Sequence, residues 1–463
     1  MDQAVNQNPV RELLRRREQG REKGIYACCS ANEYVIRAAI RRARDRDTVV
    51  LVEATANQVN QDGGYTGMKP ADFRAFLNRL AAEEGMPQAR VFCGGDHLGP
   101  LTWRNLPEAE AMPRALELVR GYVLAGFSKI HIDTSMRLAD DDPSARLPDE
   151  TIARRGAELC AAAEDAFAGF RAAHPGAPAP VYVIGSEVPI PGGAMENEET
   201  VAVTKPEDCK ATLEAFQAAF TRRGLKDAWD RVIALVVQPG VEFADESVVE
   251  YDRAAARDLT ASLDAWPGLV FEGHSTDYQS KERLREMVED GIAILKVGPA
   301  LTFALREGLF ALERIEAELG RLRPFPASAF RDTLEWAMRE NDQYWGGYYH
   351  GHESDQRYAR AFSFSDRARY YLPAPRVSAA VTTLLHNLDR EGIPLALLSQ
   401  YLPTQYQRVR SGQLPLRAAD LLLDHVGDWI DEMCIRDRLM PLGIGWTALA
   451  NQIHGIQILV HVD

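Results

Sequence analysis

"VFCGGDHLGP" occupies residues 91–100. Val91, Phe92 and Cys93 lead into two glycines. Asp96 and His97 then stand side by side, and Gly99 and Pro100 stop the run. A short, near-continuous apolar run bounded by turn residues reads as a strand buried on both faces, as parallel sheets require. Seven further runs have the same form. They are "GIYACCS" (24–30), "TVVLVEAT" (48–55), "KIHIDTS" (129–135), "VYVIGSE" (181–187), "VIALVVQPG" (232–240), "LVFEGHSTD" (269–277) and "AILKVGPA" (293–300). Between them lie helix-compatible stretches such as "PADFRAFLNRLAAEEG" and "EAMPRALELVRGYVLAG", with Gly85, Gly126, Gly224 and Gly291 where helices should stop. Eight β units alternating with α predict an α/β fold, a (β/α)8 TIM barrel, with a doubly wound open sheet as the rival.

In such a barrel all the strand ends converge on one mouth, where catalytic groups sit. Every predicted strand end carries a polar group: Ser30; Glu53, Asn57 and Gln58; Asp96 and His97; Asp133 and Ser135; Glu187; Gln238; Glu272, His274, Ser275 and Asp277; Lys296. One strand-end aspartate is commonly a helix cap. Eight polar ends aimed at one mouth point to a site. His131 lies inside its run and reads as a structural residue.

The composition fits an ordinary globular protein, with 46% hydrophobic and 26% charged residues in 463. A formal net charge of −14 argues against a dedicated nucleic-acid or membrane-surface binder. Six cysteines without a CxxC pair read as reduced structural thiols, which suits a cytoplasmic protein. The N-terminal stretch lacks the apolar core of a secretory signal and reads as a charged helix leading into the domain. No run of about 18 apolar residues is present.

The boundaries expected are a barrel with its N-terminal helix over 1–323, a helical extension packed on it over 324–432, and a tail over 433–463. The tail, beginning "MCIRDR", looks foreign to the chain; a genuine hydrophobic strand is the other reading. In the extension, "SQYLPTQYQRVRSGQL" places Arg408 and Arg410 near Tyr401, Gln405 and Tyr406. Arginine suits bidentate contact with a phosphate. A solvated helix edge or a subunit contact accounts for the stretch equally well.

The stretches "ATANQVNQDGGYTGMKPADFR", "GGDHLGP", "KIHIDTS", "SEVPIPGGA", "ALVVQPGVEF", "FEGHSTDYQ" and "ILKVGPALTFALRE" closely resemble the accessory (Z) subunits of class II tagatose-1,6-bisphosphate aldolase. The resemblance covers about residues 10–428. Some proteins of this kind carry a tagatose-6-phosphate kinase label. No GxxxxGK[ST] phosphate loop supports that label here. The family is related to zinc-dependent class II ketose-bisphosphate aldolases and resembles ketohexose-phosphate 4-epimerases. The resemblance implies catalytic roles for Asp96, Glu187 and Asp133. It implies a divalent metal, zinc first and manganese or nickel after it, held by His97, His274, Glu187 and Gln238. The strand-end reading adds substrate contacts from Glu53, Asn57, Gln58, Ser275, Asp277, Lys296 and Gly298, joined by Arg408 and Arg410 of the extension.

Two departures stand out: Gln238 replaces a zinc-binding histidine of the aldolases, and Lys296 replaces an asparagine. Glutamine is the poorer zinc ligand. A Schiff-base lysine is open in principle, though the resemblance is to class II and not class I aldolases. The expected activity is C4 epimerisation between fructose 6-phosphate and tagatose 6-phosphate by a retro-aldol route. The alternative is a non-catalytic partner that stabilises a separate class II aldolase subunit. Several carboxylates at one mouth should raise one pKa towards neutrality. The implied partners are a sugar phosphate, an aldolase catalytic subunit and further copies of the chain, with no nucleic acid and no membrane.

Overall fold

The computed structural model describes residues 8–15, 24–186 and 201–433. All eight expected strands form: β1 (Ile25–Cys28), β2 (Val50–Thr55), β3 (Val91–Leu98), β4 (Lys129–Ile132), β5 (Val181–Ile184), β6 (Val232–Val237), β7 (Val270–Gly273) and β8 (Ile292–Val297). Each pairs in parallel with its neighbours, and β8 closes onto β1. The result is a closed (β/α)8 barrel, and the open-sheet rival falls away. A short antiparallel hairpin, Glu242–Phe243 with Val248–Val249, follows β6.

Two apolar cores hold the barrel. The outer one lies between the strands and the surrounding helices. The inner one fills the lower lumen with Leu51, Phe92, Val181, Val183, Ile233 and Ile294. The same inner core takes in Val10, Leu13 and Leu14 of helix α1 (Pro9–Arg15). Thus α1 is a hydrophobic plug, and the charged-helix expectation for this segment captured only its outer face. Asn8 anchors the plug by donating to the carbonyls of Ser128 (2.9 Å) and Ala179 (3.0 Å). Fully burying an aliphatic side chain contributes about 1.5–3 kcal/mol, so this lumen is a main source of stability.

Past the barrel come five helices between Phe330 and Arg410, then α4 (Ala418–Met433). Helix α4 packs on α2 (Glu33–Asp45) and on α3 (Pro299–Leu322), the helix that follows β8. Arg41 pairs with Asp420 at 2.6 Å, and Arg42 with Asp424 at 3.0 Å and Asp428 at 3.2 Å. The suspected tail lies outside the described residues apart from Met433, which ends α4. Among the described residues, no helix is long and apolar enough to cross a membrane.

Candidate active site and cation centre

The opening motif is explained by a bulge. Strand β3 pairs with β4 as Gly94 with Lys129 and Gly95 with Ile130, but then Leu98 with Ile132. One extra residue is inserted at Asp96–His97, and His97 takes a positive φ of 48°. Neighbouring strand residues ordinarily face opposite sides; the bulge turns both towards the mouth. The glycines have steric reasons. A Cβ on Gly94 would stand 2.8 Å from Glu53 Oε1, and one on Gly99 would run into the Asp133 carbonyl.

Above the apolar lumen the interior becomes ionic. Lys129 Nζ lies 2.7 Å from Glu53 Oε1 and 2.6 Å from Glu272 Oε2, and all three side chains are wholly buried. Lys296 pairs with Glu53 and lies 2.8 Å from Asp96 Oδ1. Burial opposes charge on Lys296, yet Asp96, Glu53 and Glu272 hold its ammonium well above the ordinary lysine value. This disfavours the free amine that a Schiff base needs. Burial likewise opposes the carboxylates, but Lys296 holds Asp96 well below its ordinary value, and Lys129 does the same for Glu272. The interleaved lysines therefore reverse the carboxylate repulsion expected at these two residues. The raised acid is Asp277, lifted by burial to about 6.

Three imidazoles meet at this layer. The ring centres of His97, His131 and His274 lie 4.9–5.2 Å apart. His97 Nδ1 bonds Asp133 Oδ2 at 2.8 Å, which fixes the ring. Against burial, the His97 contacts hold Asp133 down at about 2. His131 Nδ1 lies 2.8 Å from Asp96 Oδ1. The backbone N–H of His97 also donates to this Nδ1, at 3.1 Å, and the buried Nε2 has no hydrogen-bond partner among the described residues. His274 Nε2 lies 3.1 Å from Glu272 Oε1, and burial lowers its pKa to about 4. It is a neutral imidazole near pH 7.

These groups suit a divalent cation. One ligand atom each from Asp96, His131, Glu272 and His274 lie within 4.8 Å of one another. The His131 Nε2 is a buried polar atom without a hydrogen-bond partner among the described residues. Glu53, Asp96, Asp133 and Glu272 bring four negative charges against two positive ones from Lys129 and Lys296, a formal balance of −2 before the imidazoles are counted. Imidazole with carboxylate suits zinc and its neighbours in the first transition row.

The structure rearranges part of the expected ligand set. His274 lies in the cluster, and His97 stands beside it, tied to Asp133. Gln238 does not reach it: its Oε1 accepts from the backbone N–H of Gly240 (2.8 Å) and Val241 (2.9 Å), capping its own turn. Glu187 lies outside the described residues. His131 belongs to the site rather than to the structural background, and Lys129 was missed. Their signal was the alternation in "KIHI", which sends Lys129 and His131 to the lumen while Ile130 and Ile132 join the outer core.

A solvent-open cavity lies over this layer. Asn57, Gln58, Ser275, Asp277, Lys296 and Gly298 line it, as do Asp96, His97 and His274. Glu53 lies beneath and touches the cavity only through Lys296. Ser275 shares the left-handed backbone of His97, with φ of 53°, a strained conformation that clusters at functional sites. Arg408 and Arg410 do not line this cavity. Arg408 pairs with Asp424 and Asp428 of α4, and Arg410 lies over the Tyr406 ring. The extension instead delivers Arg369 and Tyr370, with Tyr65 from the β2 loop. Asp366 fixes that segment on α3 by accepting from Arg306 (2.7 Å) and Thr302 (2.6 Å).

Fold and site define a class: a (β/α)8 barrel with a histidine–carboxylate cluster and two buried lysines at its carboxyl mouth. Residues 10–435 match the family described as D-tagatose-1,6-bisphosphate aldolase subunit GatZ/KbaZ-like. The chain belongs to that family. It is similar, at 46% identity and a TM-score of 0.79, to a solved structure from Sinorhizobium meliloti 1021 described as a probable tagatose 6 phosphate kinase; the match covers 89% of this chain and 99% of that one. The fructose-bisphosphate aldolase of Campylobacter jejuni matches at 13% identity and a TM-score of 0.39, over 81% of this chain and 91% of its own.

Proposed function

We propose that the chain interconverts fructose 6-phosphate and tagatose 6-phosphate by inversion at C4. The supporting observation is the charged layer beneath a polar-lined cavity, in a family named for a ketose-bisphosphate aldolase subunit. His131, Glu272 and His274 are the residues that would hold a divalent cation, with Asp96 and His97 alongside. Zinc is the first candidate. When bound, such a cation supplies Lewis-acid polarisation of the ketose carbonyl.

The protein groups handle the protons. Asp96 takes the C4 hydroxyl proton; the C3–C4 electron pair moves into the ketose carbonyl, leaving an enediolate and an aldehyde. The Lys296 ammonium balances the enediolate charge. The aldehyde turns its other face, the C3–C4 bond re-forms, and the proton returns to the C4 oxygen. Asp133 steadies His97 during this exchange, and Glu187 is a candidate for proton handling on the second face. Asn57, Gln58 and Ser275 are candidate partners for the sugar hydroxyls.

The test is carbon NMR of the purified chain with fructose 6-phosphate and added zinc, manganese, nickel or magnesium. Metal-dependent tagatose 6-phosphate, lost in Asp96→Asn and His97→Ala, is the expected result. No turnover with any metal favours the second reading. In it the chain stabilises a separate class II aldolase catalytic subunit, the role that the subunit description of its family supports.

A further inference from the structure

Asp277 lines the cavity but is only 3% exposed. Its Oδ1 accepts from the backbone N–H groups of Gly298 (2.9 Å) and Ala300 (2.8 Å). These amides lie at the start of α3, a 24-residue helix that follows β8. In (β/α)8 barrels the loops after strands seven and eight, with a helix N-terminus, are the frequent seat of a substrate phosphate. Free N–H groups and the helix dipole attract an anion there. In this chain a side-chain carboxylate already occupies the seat. An incoming phosphate meets donors already in use and a negative charge beside them.

The cavity has a second place for an anion. Arg369 lines it, donating to the Asp366 carbonyl (3.0 Å) and the Tyr370 hydroxyl (3.1 Å). Among the described residues no carboxylate lies within ion-pair distance of its guanidinium. The buried arginines Arg155 and Arg306 have such a partner. Tyr65 packs edge-on against Tyr370 with ring centres 4.8 Å apart, which holds this wall in place.

We infer that the cavity takes a ketohexose bearing a single phosphate, seated at Arg369, and that Asp277 is the specificity-determining residue that turns away a second phosphate. The inference rests on the monophosphate reading above and adds the seat of that phosphate and the residue that excludes a second one. The chain's own ligand then differs from the bisphosphate for which its family is named.

The experiment is titration calorimetry of the full chain, with and without zinc, using fructose 6-phosphate and fructose 1,6-bisphosphate. The native chain should bind the monophosphate at least about 10-fold more tightly, the scale set by losing charge-assisted hydrogen bonds. Asp277→Ser vacates the two amides and should narrow or reverse that preference. Arg369→Gln should weaken monophosphate binding by about 10-fold or more. If Asp277→Ser does not fold, Asp277→Asn serves: it keeps an oxygen on the amides but drops the charge, and should gain a few-fold in bisphosphate affinity. Equal binding of both sugars by the native chain overturns the inference. So does a folded Asp277→Ser that binds the monophosphate yet still rejects the bisphosphate. If the native chain binds neither sugar, the sugar-phosphate reading itself falls and takes the inference with it.

Discussion

The lower and upper halves of one barrel lumen are built from opposite chemistry. Below, Leu51, Phe92, Val181, Ile233 and Ile294 pack with the α1 plug. Above, Glu53, Lys129, Glu272, Lys296 and Asp96 are equally buried but charged. Burying ions costs several kcal/mol each unless partners offset it, so the upper half is the weaker source of stability. Its ion pairs have no counterpart in the requirements of a barrel core. The difference separates what folds the chain from what equips it for chemistry.

The sharpest way to break this comparison is Lys129→Met. It removes the nearest cation of Glu272 and leaves Glu53 with Lys296 alone, and urea denaturation should register a loss of about 3–5 kcal/mol. A neutral outcome would mean that the upper half does not depend on its charges. Ile294→Ala probes the lower half and should cost about 2–5 kcal/mol by the same measurement, with divalent-cation affinity unchanged.

Asp277→Asn tests a buried acid by pH. The native carboxyl titrates near 6 in the fold, against an ordinary 3.8, so the folded state binds the proton more tightly. The stability this group contributes is therefore present below about pH 4 and lost as pH rises through about 6. Melting of the two proteins should show Asp277→Asn gaining on the native chain across that window, by up to about 3 kcal/mol, and holding constant above it.

His131→Ala should weaken zinc binding about 10- to 100-fold in a competition titration while the fold persists. The smallest effect is expected of Arg408→Gln. Its partly exposed pairing with Asp424 and Asp428 should be worth about 1 kcal/mol or less, and sugar-phosphate binding should not change.

The sequence disclosed the eight strands because each is an apolar run cut by turn residues, and "GGDH" because glycine beside an acid and an imidazole is conspicuous. His131 and Lys129 were legible in principle, since polar residues two apart in a buried strand must face the lumen. They were passed over because they lie inside a strand and not at its end. Gln238 was misplaced for a local reason: its amide oxygen satisfies two turn N–H groups that the residue pattern does not reveal. Arg369 was hidden by distance, reaching the mouth through the Asp366 contacts with α3. Arg408 and Arg410 have the composition of an anion grip, but tertiary pairing directs the first to α4 and stacking holds the second on Tyr406.

Finally, the clasp between α2 and α4 bears on synthesis. Arg42 and its acceptors Asp424 and Asp428 are 382 and 386 residues apart in the chain. At about 5–20 residues per second, a ribosome needs roughly 20 to 80 s to make that interval. Throughout it Arg42 waits without these two acids. Final docking of α4 is therefore a late event, set by the pace of translation, and a pause upstream of Ala418 would prolong the exposure of the surface that α4 covers.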